Sequence, residues 1–359
     1  MRVLHLPAPI GGMPWGLAQG ERMLGLSSEV LISMDSWLHY PADRVIFKNP
    51  PSSIIGKLFG LTTLIREVYR IRNHYDVFHF NFGTSLIDLW RKKFPLQDLP
   101  FYKGKGKIVV TFNGCDARQK YSTMKRVAFS ACHDQNCYNG ICNPEGQDKL
   151  KRLKISKFDH YADNIFTVNP DLMYFLPKRT QFLPYTIYNW SEIQPLPYKK
   201  NTKIFRIVHS TTNRAAKGSE SILKALEKLK IRFKDHLEVI LIEKMPNEKA
   251  RQVYAEADLA IDQILIGWYG AFAVEVMKMG VPVMAFIRKE DLQFVPKAMA
   301  NDCQHAIIQA DPVSVYERLS EVIENPSMLR TYREAALEYV HRWHDPIYVA
   351  QITKSTYEG

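Results

Sequence analysis

Nowhere does the sequence hold the ~18 to 20 consecutive apolar residues of a membrane-spanning helix, so an integral helical membrane protein is not expected. Cysteine is scarce, five in 359 residues and unevenly spaced. The chain opens directly on a short strand and a glycine turn, with no secretory leader to be read there. A disulfide scaffold is therefore not expected, and a reducing, cytoplasmic location is. No low-complexity tract and no short-period repeat is found, which sets aside solenoids and long disordered tails. What remains is an ordinary globular composition, 46% hydrophobic, with length for about two domains of roughly 150 residues each.

Acidic residues are short in the first half only. Residues 1–185 carry 25 Lys+Arg against 15 Asp+Glu, whereas residues 186–359 carry 23 against 22. The excess gathers at Arg91-Lys92-Lys93, at Lys103, Lys105 and Lys107, and from Lys149 to Lys157, beside Phe94, Phe101 and Tyr102. Such a surface suits an anionic membrane leaflet, an acidic substrate or nucleic acid, and a solvated basic face explains it equally. No nucleic-acid-binding motif accompanies it, so nucleic acid is not the expected partner.

Apolar runs of strand length alternate with helix-period segments. The first half reads as strands Val3 to Leu6, Glu29 to Ile32, Val45 to Phe47, Val77 to Phe80, Ile108 to Phe112 and Asn164 to Val168. Helices are expected from Trp15 to Leu26 and Ser53 to Asn73. In the second, Ile54, Leu58, Leu61, Leu64, Ile65, Val68 and Tyr69 keep helical spacing with Arg66 and Arg70 on the other side. Covering a sheet is the commoner use of such a helix, and lying on a membrane is the alternative. Residues 186–203 contain two prolines, lose periodicity and end in charge, which marks a linker. Strands then resume at Ile204 to His209, Leu237 to Ile242, Leu259 to Ile261, Val281 to Phe286 and Ala306 to Ile308. Helices follow at Val315 to Ile323 and Met328 to Trp343, and a last one runs from Pro346 to about Tyr357. Strands separated by helices predict parallel, doubly wound sheets. The expected organisation is a first domain over 1–185, a second over 204–344, and a terminal helix, 345–359, crossing back to the first. Ligands of such α/β halves bind where the carboxyl ends of the strands open on a crevice, here a cleft between two facing domains.

One segment carries chemistry. From Ile204 to Gly218 an apolar strand leads through a polar turn with Arg214 and Lys217 to a helix whose Ile222, Ala225, Leu226 and Leu229 share one face. Strand, cationic loop and helix N-terminus together neutralise a pyrophosphate, because unpaired N–H groups and the positive dipole end converge there. Some fifty residues on, Gly267-Trp268-Tyr269-Gly270-Ala271 precedes Glu275.

These pieces, with Tyr254-Ala255-Glu256-Ala257-Asp258-Leu259 and GWYGAFAVEVMKMGVPVMAF, resemble the donor domain of retaining glycosyltransferases of the GT-B fold, the family-4-like group. The first half is similar in outline through Gly11-Gly12, YDVFHFN from Tyr75 and VTFNGCD from Val110. The resemblance implies an α/β GT-B architecture of two Rossmann-like domains and a nucleotide-diphosphate sugar, UDP- or GDP-linked, as donor. Lys217 and Arg214 then bind the diphosphate. The Gly267–Ala271 turn, with Tyr269 and Gly270, offers backbone amides, Glu275 accepts the ribose hydroxyls, and Gly11 and Gly12 let the first loop approach the phosphates. The implied acceptor is lipid-linked or a glycan, with the basic first domain as a docking surface on the inner face of a membrane.

Two departures bear on the site. Gly267 stands where the family commonly has a second glutamate facing the sugar, so sugar recognition rests on other groups, Gln263 or backbone amides. Asn113 stands where many members have a histidine; asparagine positions a hydroxyl but shuttles no proton. Same-face attack with the departing phosphate taking the acceptor's proton needs no protein base, and Asn113, Asp116, Arg118 and His79 are then acceptor-side candidates. No metal is required for that chemistry. Cys132, Cys137 and Cys142 with His133 offer three thiolates and an imidazole to a structural zinc, yet zinc knuckles are usually tighter and free thiols in a loop are the expectation. A GT-B-like nucleotide-sugar epimerase and a non-catalytic nucleic-acid-binding or other scaffold protein remain as alternative functions.

Overall fold

The computed structural model describes residues 1–35, 38–50, 53–88, 94–197 and 203–359. The basic trio Arg91 to Lys93 and residues 198–202 of the expected linker lie outside them. The chain divides into two compact units, one made of Met1–Gln119, Glu145–Tyr188 and Asp345–Gly359, the other of Lys120–Pro144 and Asn189–His344. The terminal helix thus groups with the first unit, and the cysteine-bearing segment 120–144 with the second.

In the first unit seven strands run in parallel: β1 (Arg2–Leu6), β2 (Ser27–Met34), β3 (Arg44–Phe47), β4 (Val77–Asn81), β5 (Lys107–Phe112), β6 (Asn164–Thr167) and β7 (Gln181–Phe182). Their order is β3-β2-β1-β4-β5-β6-β7. The two-residue β7 has too little apolar pattern to show in the sequence. Val3 pairs with Val77 and Leu4 with Phe78, and the alternation sorts side chains into two layers. Leu4, Phe78, Phe80, Ile108 and Val110 join one core with Phe158, whereas Val3, Val77 and Val109 join another with Leu17, Val349 and Tyr357. Both faces are covered, as an all-parallel sheet requires.

The second unit has five parallel strands: β8 (Phe205–Ser210), β9 (Leu237–Ile242), β10 (Leu259–Ile261), β11 (Val283–Ala285) and β12 (Ile307–Gln309). Their order is β12-β11-β10-β8-β9. The helix Ser219–Phe233 buries Ile222, Ala225, Leu226 and Leu229, the face its spacing predicts. Each fully buried aliphatic side chain of this kind contributes about 1.5–3 kcal/mol. Strand order reverses between β1 and β4 in one sheet and between β8 and β10 in the other, so the loops leaving those strands part and open a crevice. Gly11 and Gly12 follow β1, and the Lys217 loop follows β8.

Candidate active site

Beyond β8, Asn213 caps a single helical turn, Arg214–Lys217, by accepting the Ala216 N–H at 2.9 Å. Gly218, at φ +76°, then reverses the chain into the long helix; a Cβ there would come within 2.7 Å of Ile264, so glycine is required. His209 closes the base of this loop, its ring reaching the Ile261 carbonyl at 2.8 Å and the Ser219 hydroxyl at 2.7 Å. Lys217 is thereby aimed at the end of β10. Its Nζ donates to Asp262 Oδ1 at 2.5 Å, and Asp262 Oδ2 accepts the Gly270 N–H at 2.7 Å. Asp262 is fully buried, the lysine side chain 17% exposed.

Gly270 caps the helix Ala271–Lys278 without a side-chain cap. The Ala273 N–H bonds the Gly270 carbonyl at 3.0 Å, leaving those of Ala271 and Phe272 without an intrahelical partner. A Cβ on Gly270 would lie 3.5 Å from both Asp262 Oδ2 and Lys217 Nζ and 3.8 Å from Gln263 Nε2. The cation, the carboxylate, the glutamine amide and the helix N-terminus thus surround one point. Gln263 itself donates to the Trp268 carbonyl at 2.7 Å.

Glu275, one turn further, is 6% exposed. Its two oxygens accept from Asn189 Nδ2 at 2.6 Å and Asn247 Nδ2 at 3.0 Å. Burial pushes its carboxyl above the ordinary carboxylate value, the two amides offsetting part of that. Asn189 is 1% exposed and its Oδ1 has no partner within the protein, an acceptor held beside Glu275.

The remaining donor-side candidates are placed differently. Arg214 extends to Glu243 beyond β9, Nε to Oε1 at 2.8 Å and Nη2 to Oε2 at 2.6 Å, with its side chain 56% exposed. Gly267 sits at φ +88° against Arg288, whose guanidinium a Cβ would meet at 2.4 Å. Arg288 fills the space a side chain at 267 needs. The Tyr269 side chain is fully buried, its hydroxyl 2.6 Å from that of Tyr339 and 2.9 Å from His344 Nε2, so only its backbone is left for a ligand.

On the first unit Gly11 and Gly12 adopt φ of +61° and +68° at the switch point, and a Cβ on Gly12 would collide with Tyr188 at 2.6 Å. Asn113 Oδ1 accepts the Phe82 N–H at 3.0 Å, and Nδ2 reaches Met13 Sδ at 3.3 Å, which joins the loops after β1, β4 and β5. Asp116 accepts the Asn113 and Gly114 N–H groups at 3.0 and 2.6 Å. Desolvation raises its pKa while those amides oppose the rise, so its immediate work is to shape the turn. Arg118 forms a buried bidentate pair with Asp171, at 2.6 and 2.9 Å. His79 is fully buried between Tyr357 and Thr111.

Among the described residues the one group of three potential metal ligands is His5, Glu21 and His79, not the cysteines. Most of its polar atoms are bonded within the protein: Glu21 accepts from His5 Nε2, Ser28, Thr353 and Tyr357, and both His79 nitrogens are engaged, while the buried His5 Nδ1 has no partner. That is a hydrogen-bonded core rather than a ligand set. All five cysteines are free thiols. The turns Ala131–His133 and Cys137–Gly140 pack instead against the Arg214–Lys217 turn.

Sequence reasoning passed over Asp262, Asn189 and Asn247. An acid closing the apolar run Leu259–Ile261 was the available signal for Asp262. The asparagines, one in an aperiodic stretch read as linker, carry none.

No protein-family model matches the sequence, and no curated protein matches it. Solved structures of the same fold include sucrose-phosphate synthase from Thermosynechococcus elongatus, at 14% identity and a TM-score of 0.60, over 99% of this chain and 98% of that one. HepE from Anabaena, in complex with UDP and glucose, matches at 12% and 0.61, over 100% and 99%. The UDP-GlcNAc 2-epimerase from Neisseria meningitidis, bound to UDP-GlcNAc, matches at 13% and 0.53, over 100% of both chains. At these identities the likeness speaks to architecture. The chain has the GT-B fold, two Rossmann-like α/β units in one polypeptide.

Proposed function

We propose that this protein is a glycosyltransferase that moves a sugar from a UDP- or GDP-linked donor to a hydroxyl of a lipid-linked or glycan acceptor, with retention of configuration. The observation that carries the reading is the convergence of Lys217, Asp262, Gln263 and the Gly270 helix N-terminus at the switch point of the second sheet. UDP or a UDP-sugar occupies solved neighbours of this fold, which supports a nucleotide-sugar donor.

Lys217 and the amides of Ala271 and Phe272 offset the negative charge that grows on the departing phosphate. Arg214 is released from Glu243 to add a second cation at the diphosphate. Glu275 and Asn189 Oδ1 hold the ribose hydroxyls. The leaving phosphate takes the acceptor's proton, so Asn113 positions a hydroxyl without transferring a proton. Lys217 and the helix N-terminus do the work that a metal ion does at other diphosphate sites, so the reading calls for none. Gly11 and Gly12 let the first loop approach the phosphates, Asn113 and Asp116 stand on the acceptor side, and the setting is cytoplasmic, at a membrane's inner face.

A thermal-shift panel of UDP, GDP, ADP and their sugars tests this. One nucleotide class stabilises the parent and loses its effect in Lys217→Ala. Equal stabilisation of both proteins by every nucleotide overturns the donor site. Epimerised donor formed without acceptor would favour the epimerase reading instead, and salt-sensitive DNA binding without any nucleotide effect a scaffold.

A further inference from the structure

The helix Ile54–Ile71 carries two apolar faces, and the core uses only one. Gly60, Val68 and Ile71 are buried, with Leu61 and Leu64 half-buried against the first unit's sheet core. Turned away from that core, Ile54, Ile55, Leu58 and Phe59 are 78%, 73%, 61% and 73% exposed. Ile65 and Tyr69 continue the same side at 39% and 48%. At 3.6 residues per turn these six fall within an arc of roughly 140°, beside a buried arc of roughly 100°. The Tyr69 ring meets Phe101, itself exposed, at 5.8 Å, which extends the patch past the helix.

The unpaired charges that the helix and the Phe101 turn carry are cationic, and the exposed Asp76 nearby is paired with Arg2. Lys57 and Arg66 are exposed on the helix, Arg72 stacks on Tyr69 at 4.3 Å, and Lys103 and Lys105 follow Phe101. The helix holds one carboxylate, Glu67, and it is claimed by Arg44 and Arg70. Single exposed hydrophobics are ordinary, but four large ones within six residues form a patch that water leaves uncompensated. An apolar face with a cationic rim and no free acid complements anionic lipid, the side chains entering the acyl boundary and the cations meeting phosphates. Pairing two copies through this face would bury Arg66, which lies within the exposed arc, with no carboxylate of the helix left to meet it.

We propose that the exposed face of Ile54–Ile71, with Phe101, docks the protein on an anionic lipid bilayer. This deepens the lipid-linked acceptor of the proposed function but does not rest on the donor site.

The test is co-sedimentation of the full chain with vesicles of phosphatidylglycerol and phosphatidylcholine, or of phosphatidylcholine alone, at low salt. Partition onto the mixed vesicles is expected, at least tenfold weaker on phosphatidylcholine alone and at least tenfold weaker in Leu58→Ser/Phe59→Ser. Because both side chains are exposed, the melting temperature and its shift with UDP stay at parental values. Equal sedimentation of parent and variant, no binding of the parent, or a homodimer that the double substitution dissolves overturns the proposal. The UDP shift reports separately on the donor site, so failure of either reading is distinguishable.

Discussion

Lys217 Nζ and Asp262 Oδ1 stand 2.5 Å apart, the carboxylate fully buried and bonded on its other oxygen to the Gly270 amide. A cation and a helix-terminal N–H, the two groups the proposed diphosphate site relies on, are therefore both held by one internal anion. The carboxylate fixes where Lys217 points, at the expense of part of its charge.

Opposite signs follow for the two partners. Lys217→Ala weakens UDP binding by about 1.5–3 kcal/mol, the worth of a charge-assisted contact. Asp262→Asn removes the competing charge and tightens UDP binding. Isothermal titration calorimetry reads both, and weaker UDP binding by Asp262→Asn would mean that the carboxylate's orienting role outweighs its repulsion.

Glu275 makes a pH-dependent prediction. Burial raises its folded pKa above the ordinary value of 4.5, so the folded state binds this proton more readily than the unfolded chain. Below about pH 4.5 the group costs nothing; the cost develops as pH climbs from there through the folded value and persists above it. Glu275→Gln removes that cost and keeps an acceptor for Asn189. Relative to the parent, the variant gains stability between about pH 4 and about pH 7 in urea unfolding, while its nucleotide-sugar affinity at the upper pH falls. An unchanged difference across that range would remove the linkage.

Apart from the two-residue β7, the strands were legible because each is a short apolar run closed by a polar turn; β9 and β10 match the sequence reading at both ends. The Lys217 turn was legible because its asparagine cap, cation and glycine lie within six residues. What escaped depends on distances along the chain that periodicity does not carry. Asn189 reaches Glu275 across 86 positions, and the cysteine turns reach the Lys217 turn from another sheet's connection. The helix Ile54–Ile71 covers the sheet core through Val68 and Ile71 as expected, but the exposure of Ile54, Leu58, Ile65 and Tyr69 escaped for a different reason. Hydrophobic spacing alone merges two apolar faces into one, and only packing tells which is covered.

Gly267 cannot be restored to an acid. Its φ of +88° disfavours any side chain, and a Cβ meets Arg288, whose Nη1 is bonded to Asp291 at 2.8 Å. Gly267→Ala is expected to cost about 1–3 kcal/mol, and Gly267→Glu at least as much without gain in donor affinity. Denaturant unfolding gives the first figure and calorimetric titration the second. A neutral Gly267→Ala would show that the turn relaxes.

The terminal helix Pro346–Glu358 is tied to the first unit through a buried chain of donors. Tyr357 donates to Glu21 at 2.9 Å and accepts from His79 at 2.6 Å, while His5 donates to Glu21 at 2.8 Å. Burial alone would raise the Glu21 carboxyl, but the His5 ring and the Ser28 and Tyr357 hydroxyls together hold it below its ordinary value. A carboxylate with a depressed folded pKa stabilises above its unfolded value of 4.5, and that contribution disappears as pH falls through the folded value. Burial keeps His79 neutral, which suits a ring that donates through Nδ1 to Tyr357 and accepts from Thr111. Tyr357→Phe leaves one Glu21 oxygen short of a donor and His79 short of an acceptor, at about 1–3 kcal/mol. Glu21→Gln lowers stability at neutral pH and flattens its loss in acid. Hydrogen exchange at helix Pro346–Glu358 and urea unfolding from about pH 3 to about pH 7 measure the two effects. If Tyr357→Phe speeds exchange only within the terminal helix, the network latches that helix; if it speeds exchange through β1 and β4 as well, the network belongs to the fold's global stability.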